Sequence, residues 1–300
     1  MKLIEIKGLS QADPYIVKTR GKYFIYCTGD NGVHCYKSEN LFTGWEYVGI
    51  VLSVDGQKGY WAPSVIERNG KYYMYYSSVP ESESDVHAEN IKAAVSDEPD
   101  GGFVFVKDLL PPFSIDPHVV ENETGLYIFY SINDYVAEKA GTYIVADKML
   151  DEFTVSGNPK TIVKPTLEEE IFEKDRFRKG QDWYTLEGAF YFKKDGVHYC
   201  IYSANCYMKP DYHLGYAYCR SDRGELNTLD FKKYSPDRYS PLLCSDDTEI
   251  STGHCSMIEE SGELYLVYHG REINSNCSAN DRTARICRLN VKDEKLETQR

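Results

Sequence analysis

The chain has 300 residues, of which 42% are hydrophobic, and its formal net charge is −13. This length and apolar content can bury a large core, whereas the acidity disfavours nucleic acid and anionic membrane surfaces as partners. No apolar run approaches the length of a membrane span, and the nine cysteines, an odd number without a Cys-x-x-Cys pair, predict neither a disulfide framework nor a thiolate zinc site.

One pattern recurs five times along the chain. Each copy is a short β-rich run, a polar turn with one glycine, and a second run rich in Tyr, Phe, Ile and Val, which predicts a β-hairpin. The turn glycines are Gly21, Gly70, Gly125, Gly196 and Gly262. A period of fifty residues or more, with about four strands per unit, is typical of propeller blades. The sequence therefore predicts an all-β, five-bladed β-propeller that forms one domain over residues 1–300.

Between the hairpins, the chain contains predicted strands and surface loops. Residues 3–8 are predicted to form a short first strand, and residues 29–32 a tight turn within the first blade. The polar segments 80–87 and 133–140 and the charged segment 165–180 are predicted to be loops after the second and third hairpins and before the fourth. Residues 286–291 are predicted to form a strand of the last blade.

The residue that opens each hairpin lies eight or nine positions before its glycine. The five occupants are Asp13, Ala62, Asp116, Glu187 and His254. Because propeller blades are related by rotation about one axis, these positions should form a small ring at the axial mouth. Three carboxyl groups this close cannot all be ionised without cost, so we expect at least one raised pKa and a functional role.

Aromatic and basic residues near this ring are candidates for substrate binding. Tyr60, Trp61 and Trp183 lie shortly before Ala62 and Glu187, and aromatic faces pack well on sugar rings. The alternative is that these rings only fill gaps between blades. Arg271 and Arg285, after the last hairpin, could reach back to the mouth, or they could be surface charges.

The openings Asp13-Pro14-Tyr15-Ile16, Trp61-Ala62-Pro63, Asp116-Pro117-His118, Leu186-Glu187-Gly188 and Gly253-His254-Cys255 resemble those of glycoside hydrolase family 43. The resemblance implies an inverting enzyme in which Asp13 is the general base, Glu187 the general acid, and Asp116 the residue that raises the pKa of the acid and orients it. It also implies one Ca²⁺ or similar ion near the axis, associated with His254 largely through water, and no organic cofactor. Ala189 departs from the family pattern, which often has proline there.

The expected function is release of terminal α-L-arabinofuranosyl or β-D-xylosyl units from plant-derived oligosaccharides. An endo-arabinanase of the same family, a carbohydrate-binding propeller without catalysis, and a phosphorylase are the alternatives. A phosphorylase should need several basic residues near the acid, and only Lys193 and Lys194 lie close in sequence. The first residues lack the apolar core and cleavage site of a signal peptide, so we expect a cytoplasmic protein.

Overall fold

Glycine turns and β-rich runs produce antiparallel hairpins throughout the computed structural model, which describes residues 1–6 and 8–300. Gly21, Gly70, Gly196 and Gly262 have φ angles of 76°, 74°, 77° and 82°. This left-handed conformation costs glycine little because it has no Cβ, so the turns require glycine. All five predicted hairpins are present.

The strands form five successive units, blades 1 to 5. Blade 1 contains β1 (Tyr15–Thr19), β2 (Lys22–Cys27), β3 (Val33–Ser38) and β4 (Glu46–Leu52). Blade 2 contains β5 (Gln57–Arg68), β6 (Lys71–Pro80), β7 (Asn90–Ser96) and β8 (Val104–Asp108). Blade 3 contains β9 (Ile115–Asn122), β10 (Gly125–Asp134), β11 (Gly141–Asp151), β12 (Thr154–Val155) and β13 (Lys160–Val163).

Blade 4 contains β14 (Ile171–Glu173), β15 (Trp183–Lys194), β16 (Val197–Ala204), β17 (His213–Arg220) and β18 (Lys232–Lys233). Blade 5 contains β19 (Glu249–Glu260), β20 (Glu263–Glu272), β21 (Thr283–Lys292) and β22 (Lys295–Gln299). Short 3₁₀ helices lie in the loops at Val86–Ala88, Glu168–Glu170 and Leu226–Thr228. In residues 1–6 and 8–300, no helix is long and apolar enough to span a membrane.

The innermost strands of the blades contact one another in a ring. β1 contacts β5, β5 contacts β9, β9 contacts β15, β15 contacts β19, and β19 returns to β1. The prediction of a five-bladed β-propeller is confirmed. The first strand predicted at residues 3–8 is absent from its described residues, which exclude Lys7; instead, Lys2 forms an isolated bridge with Arg285, and the Leu3 amide donates a hydrogen bond to the Ala284 carbonyl.

The core lies between the faces of adjacent blades and is rich in tyrosine. Tyr26 and Tyr76 pack between blades 1 and 2, and Tyr127 and Tyr202 between blades 3 and 4. All four side chains are nearly or completely buried. Tyrosine suits this position because its ring fills a wide gap between sheets. The many tyrosines of the sequence are therefore largely packing residues.

A second ring of polar side chains lies where the second strand of each blade reaches the mouth. The cross-strand pairing places equivalent residues there: Thr28, Ser77, Ser131, Ser203 and His269. Three of them accept a hydrogen bond from the backbone of the next blade. Thr28 Oγ1 accepts from Ala62 N at 2.8 Å, Ser203 Oγ from His254 N at 2.7 Å, and His269 Nδ1 from Asp13 N at 3.2 Å. These bonds connect blade 1 to 2, 4 to 5, and 5 to 1.

Two equivalent serines differ in their hydrogen bonding and supply a test of these interblade bonds. Ser203→Ala would leave the partly buried His254 amide without this acceptor, so we expect a loss of about 1–3 kcal/mol in the free energy of unfolding. Ser77 Oγ is buried and has no partner among the described residues. Ser77→Ala should therefore change stability little. Urea unfolding of both variants checks this, and equal losses would contradict it.

Candidate active site

The backbone at the mouth repeats one unusual conformation in every blade. Asp13, Ala62, Asp116, Gly188 and His254 have φ angles of 54°, 43°, 57°, 62° and 47°. Four of them are not glycine, and a side chain in this left-handed region carries a conformational cost; outside tight turns, such residues cluster at functional sites. The repeated geometry identifies these five residues as structurally equivalent.

The sequence alignment of the ring was wrong by one residue in blade 4. Gly188, not Glu187, is the equivalent of Asp13 and His254, and it lies eight residues before its turn glycine, as they do. A Cβ at Gly188 would come within 3.0–3.2 Å of the His254 ring, so glycine provides both the required φ angle and the space. Glu187 therefore approaches the mouth from the preceding position of β15.

Asp13 is buried and surrounded by hydrogen-bond donors. Its Oδ2 accepts from Thr28 Oγ1 at 2.6 Å, and its Oδ1 accepts from Arg282 Nη1 at 3.1 Å. His254 Nδ1 lies 3.4 Å from the same Oδ1. Burial by itself would raise the pKa of Asp13, but the positive charge of Arg282 and the contact with His254 hold that pKa well below its usual value. Asp13 is therefore ionised at neutral pH.

Glu187 and Asp116 are the other two carboxyl groups of the cluster. Glu187 Oε1 accepts a hydrogen bond from the Tyr212 hydroxyl at 2.9 Å, and Asp116 Oδ2 accepts one from the backbone amide of Gly188 at 3.0 Å. Burial raises the pKa of Glu187 to about 7, despite the opposing bond from Tyr212. Burial and then the charge of Glu187 raise the pKa of Asp116. This pair of carboxyl groups therefore retains a proton near neutral pH.

The cluster thus contains carboxyl groups in two different protonation states. An ionised carboxylate can accept a proton from water, and a protonated carboxyl group with a pKa near 7 can donate one. Pairs of titratable groups with pKa values shifted in opposite directions are typical of acid–base catalysis. Arg282 neutralises one of the negative charges and so reduces the cost of placing three carboxyl groups together.

The predicted aromatic residues have different environments. Trp61 is partly exposed and immediately precedes Ala62 of the ring. Tyr60 is completely buried, stacks on Tyr76 with ring centroids 5.6 Å apart, and bonds through its hydroxyl to the backbone of Val54. Tyr60 is therefore placed in the core, not at the mouth. Trp183 is 3% exposed and lies beneath other aromatic side chains.

The structure does not bring the two predicted arginines to the carboxyl cluster. Arg271 is completely buried and bonds to Asp281 and to the backbone oxygens of Tyr207 and Ser278. These bonds connect the loop that contains Tyr207 to the loop that contains Ser278 and Asp281. Arg285 pairs with Glu249 and Glu272, each at 3.0 Å, at the base of the same loop. Their guanidinium groups are occupied by these structural contacts, and the arginine that reaches the site is Arg282.

Sequence reasoning missed Arg282, His269 and Tyr212. Arg282 lies between the two arginines that were chosen, and its guanidinium carbon is 4.8 Å from the centre of the Tyr207 ring. The Tyr212 ring stacks on His269 at 5.6 Å, with the ring planes 7° apart. An alignment of the ends of the second strands would identify His269 as the equivalent of Thr28 and Ser203. Tyr212 follows a loop and carries no repeat signal.

The side chains around His254 do not fit a directly coordinated calcium ion. Ca²⁺ prefers six to eight oxygen ligands, whereas His254 offers an imidazole, and the nearby Asp13 oxygen is already bound by Arg282. A cation there would also face the positive guanidinium group. Across residues 1–6 and 8–300, no group of three or more His, Cys, Asp and Glu side chains is arranged to hold a metal ion.

The fold and the carboxyl cluster define a class of protein, a five-bladed β-propeller with an acid–base site at its axis. The sequence profile of Glycosyl hydrolases family 43 matches residues 6–296. The chain belongs to this family, and the resemblance seen in the hairpin openings is confirmed. The crystal structure of a thermostable family-43 glycoside hydrolase is 29% identical with a TM-score of 0.83, over 100% of this chain and 96% of that chain.

Two curated proteins match shorter segments. The probable arabinan endo-1,5-alpha-L-arabinosidase C of Aspergillus clavatus is 41% identical over 69 residues, which is 21% of each chain. The xylosidase/arabinosidase 43A of Humicola insolens is 29% identical over 149 residues, or 42% of this chain and 44% of that protein. The chain thus matches about a fifth of the first relative's length and under half of the second's.

The hydrogen bond from Tyr212 to Glu187 should be visible in the titration of the carboxyl group. Because the hydroxyl stabilises the ionised form, Tyr212→Phe should move the pKa of Glu187 upward from about 7. Carbon-13 NMR of labelled glutamate side chains measures this pKa. Tyr207→Phe is the matched control, since Tyr207 packs on Arg282 without a bond to Glu187. An unchanged or lower pKa in Tyr212→Phe would contradict the assignment.

Proposed function

We propose that the protein is an inverting glycoside hydrolase that releases terminal pentose units, α-L-arabinofuranosyl or β-D-xylosyl, from plant-derived oligosaccharides. The observation that carries this proposal is the joint presence at the axial mouth of Asp13, whose contact with Arg282 lowers its pKa, and of Glu187, whose burial raises its pKa to about 7. Inverting hydrolysis needs one carboxylate to activate water and one carboxyl group to protonate the leaving oxygen. Family membership and the names of the curated relatives support a pentose substrate.

Each charged side chain then has a distinct role. Asp13, kept ionised by Arg282, takes a proton from the attacking water. Glu187 gives its proton to the leaving oxygen, while its Oε1 is fixed by Tyr212. Asp116 binds the amide of Gly188, so it fixes the backbone next to Glu187, while burial and the negative charge of Asp13 oppose ionisation of the acid. Asp13 and Glu187 are the catalytic residues, and Asp116 positions the acid.

The site favours hydrolysis over the alternatives. A binding propeller has no use for buried carboxyl groups with raised pKa values, such as those of Glu187 and Asp116, because a raised pKa reduces stability at neutral pH without improving recognition. A phosphorylase would need cations free to bind phosphate. Arg282, the arginine that reaches the cluster, is engaged by Asp13, and Lys193 and Lys194 lie at the far end of β15 from Glu187. An endo-arabinanase would use the same chemistry on internal bonds.

Two isosteric variants test the roles of the acid and the base. With nitrophenyl α-L-arabinofuranoside and nitrophenyl β-D-xyloside, Asp13→Asn should lower kcat by about 10²–10⁴-fold on the hydrolysed substrate, because no base remains. Glu187→Gln should lower kcat less on a dinitrophenyl glycoside than on a nitrophenyl glycoside, because the dinitrophenyl leaving group needs little protonation. Because the side chains around His254 do not fit a directly coordinated calcium ion, excess EDTA should leave the wild-type rate unchanged.

The exposed carboxylate variant Asp97→Asn controls for the loss of one negative charge. Proton NMR of the first product establishes whether the anomeric configuration is inverted. Unaltered rates in both Asp13→Asn and Glu187→Gln would refute the proposed reaction. Activity on polymeric arabinan with mid-chain products would instead assign the enzyme as endo-acting.

A further inference from the structure

Two half-exposed aromatic rings flank the start of the strand that carries Glu187. Tyr135, from the loop between β10 and β11, is 50% exposed, and Phe177, from the loop before β15, is 51% exposed. Their rings lie 5.1 Å and 5.3 Å from the ring of the buried Trp183, and 6.1 Å from each other. A contiguous pair of large aromatic rings presented to solvent on a buried base is a candidate binding surface.

Further side-chain contacts link these rings to Phe113, which lies shortly before Asp116 in the sequence. The guanidinium carbon of Arg176 lies 5.5 Å from the ring centres of both Phe177 and Trp183, and its Nη2 lies 3.5 Å from His87 Nε2. The His87 ring is 6.0 Å from that of Phe113. Phe113 precedes Asp116 by three residues. We call this set the aromatic wall, and its members are His87, Phe113, Tyr135, Arg176, Phe177 and Trp183.

The wall lies on the side of the acid. Trp183 precedes Glu187 by four residues on the extended strand β15, a separation of about 13 Å along the strand. The base Asp13 is held from the other side, by Thr28 of blade 1 and by Arg282 and His254 of blade 5. In an inverting reaction the leaving group departs towards the acid and away from the water-activating base. The aromatic wall therefore lies on the side towards which the leaving group departs.

The surroundings of the wall suit a neutral, hydroxyl-rich ligand. Beside it lies a cavity of about 620 Å³ whose lining includes Phe172, Glu168, Glu169, Glu173 and Lys174. Arg176 connects the two, because its guanidinium carbon is 4.9 Å from the Phe172 ring centre. Flat apolar rings next to carboxylate acceptors match the apolar face and the hydroxyl groups of a sugar. A protein partner would be expected to need a larger apolar area with fewer charges.

We infer that the aromatic wall binds the sugar units on the leaving-group side of the scissile bond, with Tyr135 and Phe177 as the platform for a unit beyond the first. This inference rests on the proposed function, since it takes Glu187 as the acid. It implies that the preferred substrates are short pentose oligosaccharides instead of simple glycosides. Tyr135 and Phe177 contribute to binding and have no part in proton transfer.

Variants of the two exposed rings test the inference. Tyr135→Ala and Phe177→Ala should each raise KM for α-1,5-arabinotriose or β-1,4-xylotriose, whichever the wild type cleaves, by roughly tenfold, the effect of one lost ring contact. Their kcat/KM on the corresponding nitrophenyl pentoside should stay within about twofold of wild type. Phe42→Ala is the matched control, because Phe42 is 37% exposed in the β3–β4 turn of blade 1.

The possible outcomes separate the inference from the proposed reaction. An unchanged KM for the trisaccharides in both platform variants would overturn the inference, as would an equal loss on nitrophenyl and trisaccharide substrates. A monomer–dimer shift caused by the same variants, without an effect on KM, would assign the wall to self-association and also overturn it. If the wild type cleaves no glycoside, the proposed reaction fails, and calorimetric binding of the trisaccharides to wild type and Tyr135→Ala still decides the role of the wall.

Discussion

The hydrogen bond from the Asp13 amide to His269 Nδ1 is the contact on which the site depends. It joins the last blade to the first and holds Asp13 in its left-handed conformation. Because the amide donates, Nδ1 carries the lone pair and the proton of the neutral imidazole lies on Nε2. Burial lowers the pKa of His269 to about 3, so the ring stays neutral. The stacking of His269 on Tyr212, which bonds to Glu187, then connects Asp13 to Glu187.

The electrostatic division of the site follows from where each carboxyl group sits relative to Arg282. Asp13 contacts the guanidinium group directly, and its pKa falls. Glu187 receives only one neutral donor, so burial dominates and its pKa rises. One cation placed asymmetrically thus gives two similar groups opposite protonation states. The interblade hydrogen bonds of the second ring hold neighbouring blades in place. The unequal placement of Arg282 relative to Asp13 and Glu187 therefore depends on the closure of the propeller.

The repeat pattern could predict the fold and the carboxyl cluster because both depend on short-range signals. Hairpin turns need glycine, and rotational symmetry then brings Asp13 and Asp116 together. In blade 4 the hairpin opening could be placed eight or nine residues before the turn glycine. The choice of nine wrongly assigned Glu187 to the ring position that Gly188 occupies. Arg282 could not be chosen over Arg271 from sequence, because the choice depends on how the loop after β20 folds. Arg271 instead binds Asp281 within that loop.

The central claim is that Asp13 is ionised and Glu187 protonated in the active enzyme. The pH dependence of kcat/KM on a nitrophenyl pentoside tests it most directly. Because the acid must be protonated, the rate should fall as the pH rises through about 7, and because the pKa of Asp13 is lowered, no acidic limb should appear at or above its usual value of 3.8. A rate that stays constant up to pH 9, or that falls below pH 6, would contradict the account.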